Sequence, residues 1–302
     1  MAFAHPPIAR PVLTGASGFV GSALAARLQG AQRAAFGGQD WRSTLASLDL
    51  HGATVFHLAA RVHELGGDQA FDTDNVAKTL ALAEAAASAG AARFVFASTV
   101  KVFGEETTGA PWTPQTAANP CDAYARSKWR AEEGLREIAR RSGLHSVVVR
   151  FPLVYGPGVG GNFRALLGLA DRGVWLPFAA IANRRSLLHV DDAVDALMAA
   201  ATHESPPGGT FVAAHPVPVS TPALIESLRG HLGRPRRLFA MPAMLLEAGA
   251  TVMGQGERMR RLTRSLEVDP SDLEAQLGWT ARVALDEGVR GTVVAFRQGR
   301  GA

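Results

Sequence analysis

The first half of the chain alternates short apolar runs with longer amphipathic stretches. The apolar runs predict strands at residues 12–14, 54–59, 93–99 and 145–151. The amphipathic stretches predict helices at residues 18–28, 71–89 and 122–141. Such βα alternation is typical of an α/β protein with a Rossmann-type, doubly wound parallel sheet.

The pattern loosens after Tyr155. Residues 155–162 read YGPGVGGN and predict a loop. One more helix is predicted at 191–201, with Asp191 or Asp192 as its N-cap. We therefore predict a larger α/β domain at 10–160 to which residues 185–214 return. A smaller C-terminal lobe is predicted from 161–184 and 215–302.

A glycine-rich segment follows the first predicted strand directly. Gly15, Gly18 and Gly21 are spaced by three, and a predicted helix begins among them. Glycines let the backbone approach a pyrophosphate closely, and the N-terminus of a helix supplies free N–H groups. Because strand, glycines and helix follow in this order, the segment predicts a dinucleotide site rather than a plain tight turn.

Tyr124 and Lys128 stand four residues apart in a predicted helix. The chain has only two tyrosines, and its lysines number three among 31 basic residues. A helix places residues four apart on one face. A cation beside a phenol lowers the phenol's pKa and makes it a proton donor and acceptor near neutral pH. The spacing therefore predicts a catalytic pair.

Ser98 and Thr99 end the strand predicted at 93–99, where parallel sheets place their ligands. Thr99 precedes Tyr124 by 25 residues, which is enough for a loop and a helix that return the tyrosine to the strand end. There the Thr99 hydroxyl can hydrogen-bond a substrate oxygen while Tyr124 transfers its proton.

Composition narrows the classes of function. Basic residues outnumber acidic ones by 31 to 27, and the arginines are scattered apart from one modest cluster at Arg258, Arg260, Arg261 and Arg264. We therefore expect neither nucleic-acid binding nor membrane insertion. The single cysteine, Cys121, and the lack of an apolar signal sequence predict a cytoplasmic protein.

Three histidines, His51, His57 and His63, are spaced by six residues. This spacing matches neither a helical nor a strand face of metal ligands, so we expect no metal site.

Together, eight segments resemble the extended short-chain dehydrogenase/reductases, in the nucleotide-sugar epimerase/dehydratase branch, from about Pro11 to Phe296. They are TGASGFVG at 14–21, HLAA at 57–60, DNVAKT at 74–79, FVFASTVKVFGE at 94–105, YARSK at 124–128, RFPLVYGPG at 150–158, RRSLLHVDD at 184–192 and LGW at 277–279.

The resemblance implies an enzyme with a catalytic triad of Thr99, Tyr124 and Lys128. It implies NAD or NADP, held in the larger domain by Gly15, Ser17, Gly18, Phe19, Val20, Gly21, Leu58, Ala59, Ala60, Lys128, Phe151 and Pro152. It further implies a homodimer and a UDP-linked sugar bound in the smaller lobe. The sugar contacts are Ser98, Asn162 and Arg185, with Arg185 at the diphosphate.

The chain departs from the family pattern in two places. The first narrows the reaction, and the second leaves the choice between NAD and NADP open. Dehydratases carry Asp-Glu after the catalytic threonine, whereas this chain has Val100 and Lys101, so we reject a 4,6-dehydratase. Only 28 residues separate Leu28 from His57, where the family usually fits two strands. Residues 33–38 end without the acid or arginine that selects NAD or NADP; the Asp40-Trp41 pair beyond them predicts a helix start.

Two reactions suit the triad. A reductase carries hydride to C4 of a UDP-4-keto-6-deoxy-N-acetylhexosamine for surface polysaccharide, and Tyr124 protonates the alkoxide. A UDP-sugar 4-epimerase oxidises C4, rotates the keto sugar and returns the hydride to its other face. We favour the reductase. The epimerase, another sugar or small-carbonyl member, and a non-catalytic dinucleotide-binding protein remain open.

Overall fold

The protein is built on a parallel sheet. The computed structural model describes residues 6–38, 40–62, 67–203 and 209–299. Its strands are β1 (Pro11–Thr14), β2 (Gln32–Ala34), β3 (Thr54–His57), β4 (Arg93–Thr99), β5 (Ser146–Phe151), β6 (Leu153–Tyr155), β7 (Leu187–His189) and β8 (Gly209–Val212). Six of these pair in the order β2-β1-β3-β4-β5-β8, all parallel, and β6 pairs with β7.

Helices cover both faces of the sheet. They are α1 (Phe19–Arg27), α2 (Trp41–Ala46), α3 (Gly67–Phe71), α4 (Lys78–Ser88), α5 (Ala123–Ser142), α6 (Gly161–Asp171), α7 (Val190–Thr202), α8 (Thr221–Leu232), α9 (Ala243–Val252), α10 (Gly256–Thr263), α11 (Ser271–Leu277) and α12 (Leu285–Gln298). Buried side chains of α1, α7 and α11 pack on one face of the sheet, and those of α2, α4 and α5 on the other. The predicted doubly wound α/β fold is confirmed.

The interval between α1 and β3 holds one short strand where the family pattern fits two. In its described residues, 28–38 and 40–53, only β2 and α2 form. The helix start predicted at Asp40 and Trp41 is confirmed. The ammonium of Lys78 is buried and donates to the Phe36 carbonyl at 2.8 Å and pairs with Asp74 at 2.6 Å. A lysine therefore holds the chain that follows this edge strand.

The helix predicted at 71–89 is not continuous. Residues Asp72–Ala77 form a π-helix between α3 and α4. Such a turn widens the helix and often marks a functional site. Asn75 is buried there, and its amide group contacts both the backbone of Arg61 and the hydroxyl of Ser127. The prediction of one regular helix was wrong because periodicity alone does not reveal this turn.

The N-cap prediction for α7 was also wrong. The cap is His189, whose ring accepts a hydrogen bond from the Asp191 backbone at 3.3 Å. The Asp192 carboxylate instead accepts the backbone N–H groups of Arg282 and Val283, at 3.0 and 3.1 Å. Asp192 thus ties the C-terminal part of the chain to the sheet domain.

The smaller lobe is organised around a second core. Buried side chains of α6, α8 and α12 pack together there. Leu273, Leu277 and Trp279 pack into the core beneath the sheet, while Tyr155 and Leu187 pack into the second core, and the predicted division into domains stays a prediction. In the described part of the chain, no helix is both long and apolar enough to cross a bilayer.

Candidate active site

Thr99 ends β4 at the carboxyl edge of the sheet. It is the N-cap of a 3₁₀ turn at Val100–Phe103, and its hydroxyl accepts the Lys101 backbone N–H at 3.2 Å. In the register of the sheet Thr99 pairs with Phe151, the last residue of β5. The strand end thus places the hydroxyl of a buried threonine where parallel sheets bind their ligands.

Tyr124 lies in the first turn of α5, as predicted. Asp122 caps this helix by accepting the Ala125 backbone N–H at 2.6 Å. The Ser127 hydroxyl donates to the Tyr124 carbonyl at 2.7 Å and accepts from Asn75 at 2.9 Å. The helix turn that carries the tyrosine is therefore fixed from two sides.

The expected effect of Lys128 on the phenol was wrong. Burial raises the pKa of Tyr124 above its ordinary value of 10, and the negative charge of Asp122 raises it further. The phenol ring packs against Phe71, with the centroids 6.4 Å apart. Because desolvation dominates, the phenol is fully protonated in this state and suits a proton donor.

Lys128 is almost fully buried, 2% exposed, on the same helix. Its ammonium lies 3.9 Å from the centroid of the Phe96 ring. Burial lowers its pKa from 10.5 to about 7, against an opposing effect of the Glu132 charge. Lys128 therefore exists in both charged and neutral forms near pH 7, which suits a group that takes part in proton transfer.

His57 stands beneath the glycine segment. Its ring nitrogens lie 2.6 Å from the Thr14 hydroxyl and 2.8 Å from the Thr79 hydroxyl. Burial, together with the Lys128 charge, lowers the pKa of His57 to about 3. The imidazole is thus neutral, and both of its nitrogens are hydrogen-bonded within the protein.

No cluster of three or more potential metal ligands occurs among the described residues. Of the histidines that are spaced by six, His51 contacts the Ala89 carbonyl, and His63 lies outside the described residues. The absence of a metal site stays a prediction.

The glycine segment leaves no room for side chains. Gly15 has φ +76°, and a Cβ atom on it would lie 2.5 Å from the Ala59 nitrogen. A Cβ on Gly21 would lie 1.9 Å from the Gly15 carbonyl oxygen. Helix α1 begins after Gly18 without a side-chain cap, so its first N–H groups are free to face an anion. These features fit the pyrophosphate of a dinucleotide.

We expect the substitution Gly15→Ala to weaken dinucleotide binding at least about tenfold. The added methyl group would collide with the backbone of Leu58 and Ala59 in the loop that follows β3 (the β3 loop), and it would strain a left-handed backbone. Gly30→Ala is the matched control, because Gly30 also has a positive φ but has nothing within 4 Å of an added Cβ. Titration of NADH fluorescence measures both variants. Equal affinities for the two would contradict this role of Gly15.

The remaining predicted cofactor residues lie at the carboxyl ends of three strands. Ser17, Phe19 and Val20 follow β1, and Leu58, Ala59 and Ala60 follow β3, while Phe151 and Pro152 end β5. Backbone bonds from Leu58 and Ala59 to Thr14, at 3.2 and 3.3 Å, hold the first two groups together. The structure thus brings these residues to one sheet edge, and their contact with a cofactor remains a prediction.

Ser98 has a different partner from the predicted sugar. Its hydroxyl donates to Glu132, a fully buried carboxylate of α5. Glu132 also binds the guanidinium of Arg150, at 2.5 Å to Nη2 and 3.1 Å to Nε. The Ser98 side chain thus joins β4 to α5, and its contact with the sugar stays a prediction.

Replacing Glu132 with glutamine is expected to destabilise the protein by about 3 kcal/mol, because it leaves the Arg150 charge buried without its partner. Glu133→Gln, one position along the same helix and exposed, should change stability by less than about 0.5 kcal/mol. Urea unfolding measures both. Equal, small effects would mean that the buried pair contributes nothing.

A cleft of about 570 Å³ lies beside the N-terminus of α5. Its lining is rich in charge and comprises Phe103, Gly104, Glu105, Glu106, Asn119, Cys121, Asp122, Glu257, Arg260, Arg261 and Arg264. Thr99, Tyr124 and Lys128 do not line it themselves, but Asp122 lies two residues before Tyr124. The cleft therefore borders the predicted triad.

Three arginines of this cleft were missed by sequence reasoning, which noted the cluster at 258–264 but gave it no part in a substrate site. Their spacing, two on α10 and one just after it, was the available signal. The predicted Arg185 lies nearby, because its side chain donates to the Arg264 carbonyl at 2.9 Å. Burial lowers the pKa of Arg185 to about 10, and Glu105 opposes the shift. Asn162 is exposed in the first turn of α6.

Comparison with known proteins agrees with this geometry. The family model described as the NAD dependent epimerase/dehydratase family matches residues 12–214. A UDP-glucose 4-epimerase of Vibrio cholerae is 33% identical over 95% of this chain and 95% of its own.

Two solved structures have the same fold. UDP-glucose 4-epimerase of Thermotoga maritima with UDP-glucose has a TM-score of 0.77 at 23% identity, and covers 96% of this chain and 99% of its own. RMD of Pseudomonas aeruginosa, complexed with NADPH, has a TM-score of 0.76 at 19% identity with the same coverage. The predicted family is confirmed: the chain belongs to the NAD dependent epimerase/dehydratase family and is an NAD(P)-dependent sugar-nucleotide enzyme.

Proposed function

We propose that the protein transfers hydride at C4 of a UDP-linked hexose, with Thr99, Tyr124 and Lys128 as the catalytic residues. The observation that carries the proposal is the placing of the half-buried Tyr124 and the buried Lys128 on one helix at the carboxyl edge of the sheet, beside an arginine-lined cleft. A bound nicotinamide supplies the hydride chemistry. The glycine segment, the β3 loop and the end of β5 hold the dinucleotide.

The protein's own residues handle the proton. Tyr124 is protonated at neutral pH, so it can donate to an alkoxide that forms at C4. Lys128, with a pKa of about 7, can hold a proton as an ammonium while Tyr124 is a phenolate. It can release that proton when the phenol is formed again. Thr99 offers its hydroxyl to the same sugar oxygen. Burial of Lys128 keeps its side chain away from bulk water.

The sugar nucleotide occupies the cleft beside α5. Its diphosphate faces Arg260 and Arg261, with Arg185 behind them, because planar guanidinium groups bind phosphate oxygens well. Arg264 is already paired with Glu247 at 2.6 Å and with Glu106 at 3.3 Å. Arg264 therefore serves the cleft wall rather than the phosphates.

Reduction of a UDP-4-keto-6-deoxy-N-acetylhexosamine, for surface polysaccharide, is the first candidate reaction. This reaction consumes NADH or NADPH, so the dinucleotide must leave and be replaced after each turnover. The short edge at β2 supports this choice, because residues 35–38 directly after the strand contain no acid to bind an adenosine ribose, and Lys78 holds the backbone there instead. A 4-epimerase is the second candidate, since the Vibrio cholerae relative carries that name.

Absorbance at 340 nm with NADH or NADPH and the 4-keto sugar tests the first candidate. We expect oxidation of the dinucleotide in proportion to sugar consumed. Conversion of UDP-glucose to UDP-galactose without net oxidation, by protein purified with bound NAD, would instead establish the epimerase. Neither reaction in protein that still binds dinucleotide would favour a non-catalytic binding role.

Cys121 offers an independent test of the cleft. It is the chain's only cysteine, is exposed and lines the cleft. We expect UDP at millimolar concentration to slow maleimide labelling of Cys121 at least about fivefold, because the bound nucleotide covers the thiol. Uridine, which lacks the diphosphate, should protect far less. Equal labelling with and without UDP would remove the substrate from this cleft.

Two further proposals concern the setting of the enzyme. We propose a homodimer formed through α4 and α5, and a cytoplasmic location, as the single cysteine suggests. Charged residues lie beside these helices, because Arg126 and Arg130 of α5 pair with Asp68 and Asp72. Light scattering at micromolar concentration tests the dimer, and a monomeric mass would contradict it.

A further inference from the structure

Lys101 lies at the junction of the two elements that carry the proposed catalytic residues. Its ammonium is bonded to the Asp122 carboxylate and lies 2.9 Å from that of Glu105. The side chain is only 25% exposed. Lys101 stands where dehydratases carry a carboxylate, and it has no role in the proposed transfer of hydride and proton.

The backbone N–H of this lysine contacts one element, and its ammonium contacts the other. The Lys101 N–H donates to the Thr99 hydroxyl at 3.2 Å, so the residue fixes the end of β4. One oxygen of Asp122 caps α5 through the Ala125 N–H, and the other binds the Lys101 ammonium. Lys101 therefore joins the threonine to the helix turn that holds Tyr124.

The same contacts set the charge around the phenol. Burial lowers the pKa of Lys101, but the two carboxylates outweigh this effect and raise it overall. Burial conversely raises the pKa of Asp122, and Lys101, the Ala125 N–H and the more distant Arg261 together lower it. Both groups thus stay charged at neutral pH, and Lys101 offsets the one carboxylate whose charge acts on Tyr124.

We propose that Lys101 is a positioning residue: its bridge to Asp122 fixes Thr99 and Tyr124 relative to each other. The inference rests on the proposed function of the Thr99–Tyr124–Lys128 site. Glu105, the second partner of Lys101, keeps the ammonium at the cleft wall and also faces Arg185.

Kinetics of Lys101→Met and Lys101→Arg test the proposal. We expect kcat of Lys101→Met to fall about 10- to 100-fold while KM changes less than about threefold, because the cleft arginines still bind the substrate. Lys101→Arg, which keeps a positive charge beside Asp122, should recover most of kcat.

Hydrogen exchange of the peptide 119–128 gives a readout that does not depend on activity. Lys101→Met should exchange faster there than wild type, and Lys101→Arg should not. Unchanged kcat with unchanged exchange would overturn the proposal, as would a Lys101→Met variant that loses stability but keeps its kcat. If wild type were inactive on UDP-sugars, the proposed function would fail, and exchange alone would still decide whether Lys101 holds the turn.

Discussion

Tyr124→Phe is expected to lower kcat about 10²- to 10⁴-fold, the usual range for loss of a positioned proton donor. The phenylalanine keeps the ring contact with Phe71 and removes only the hydroxyl. The fold and dinucleotide affinity should therefore be unchanged. Steady-state kinetics with the sugar nucleotide that the wild type converts measure kcat, and titration of NADH fluorescence measures the dinucleotide affinity.

The chain supplies a matched control in its only other tyrosine. Tyr155 is buried in the second core, stacked on Phe163 at 5.1 Å, and burial raises the pKa of its phenol as well. Tyr155→Phe should retain kcat within about threefold. A Tyr124→Phe variant with near-normal turnover would remove the phenol from the reaction.

Lys128→Met is expected to abolish turnover and, at the same time, to stabilise the protein at neutral pH. The folded pKa of Lys128 is about 7 against 10.5 in the ordinary state, so folding disfavours the charged form. Between these values the unfolded chain binds more protons, and wild-type stability rises with pH. The expected slope is about 1.4 kcal/mol per pH unit relative to the variant.

Urea unfolding at pH 7.5 and pH 9.5 measures this difference, expected at about 3 kcal/mol over the two units. Lys101→Met is the control with the opposite sign. Its raised pKa means that the charged form is favoured by folding, so removing it should destabilise the protein at both pH values. If the free energy of unfolding had the same pH dependence in wild type and in Lys128→Met, the lowered pKa of the buried Lys128 would be contradicted.

Much of the fold followed from local pattern. The strands predicted at 93–99 and 145–151 and the helix at 122–141 all form to within a residue of their observed bounds, because apolar runs and amphipathic periods reflect burial on a two-sided sheet. The π-helix at Asp72–Ala77 did not follow, since its extra residue is fixed by contacts of Asn75 with Arg61 and Ser127.

The candidate site divides in the same way. The Tyr124–Lys128 spacing located the pair, but their pKa shifts depend on burial and on charges from other elements, which spacing does not contain. Likewise, Ser98 was placed correctly at a strand end, and its partner Glu132 lies 34 residues away. Long-range polar pairs of this kind are set by the packing of helix on sheet.

The most direct test of the central claim uses a reduced dinucleotide that carries deuterium at nicotinamide C4, with the UDP-4-keto sugar as acceptor. Mass spectrometry and NMR of the product locate the label. We predict one deuterium at C4 of the sugar with wild type, and none above background with Tyr124→Phe. Deuterium at another carbon, or none with wild type under conditions in which both dinucleotide and UDP bind, would contradict hydride transfer at C4.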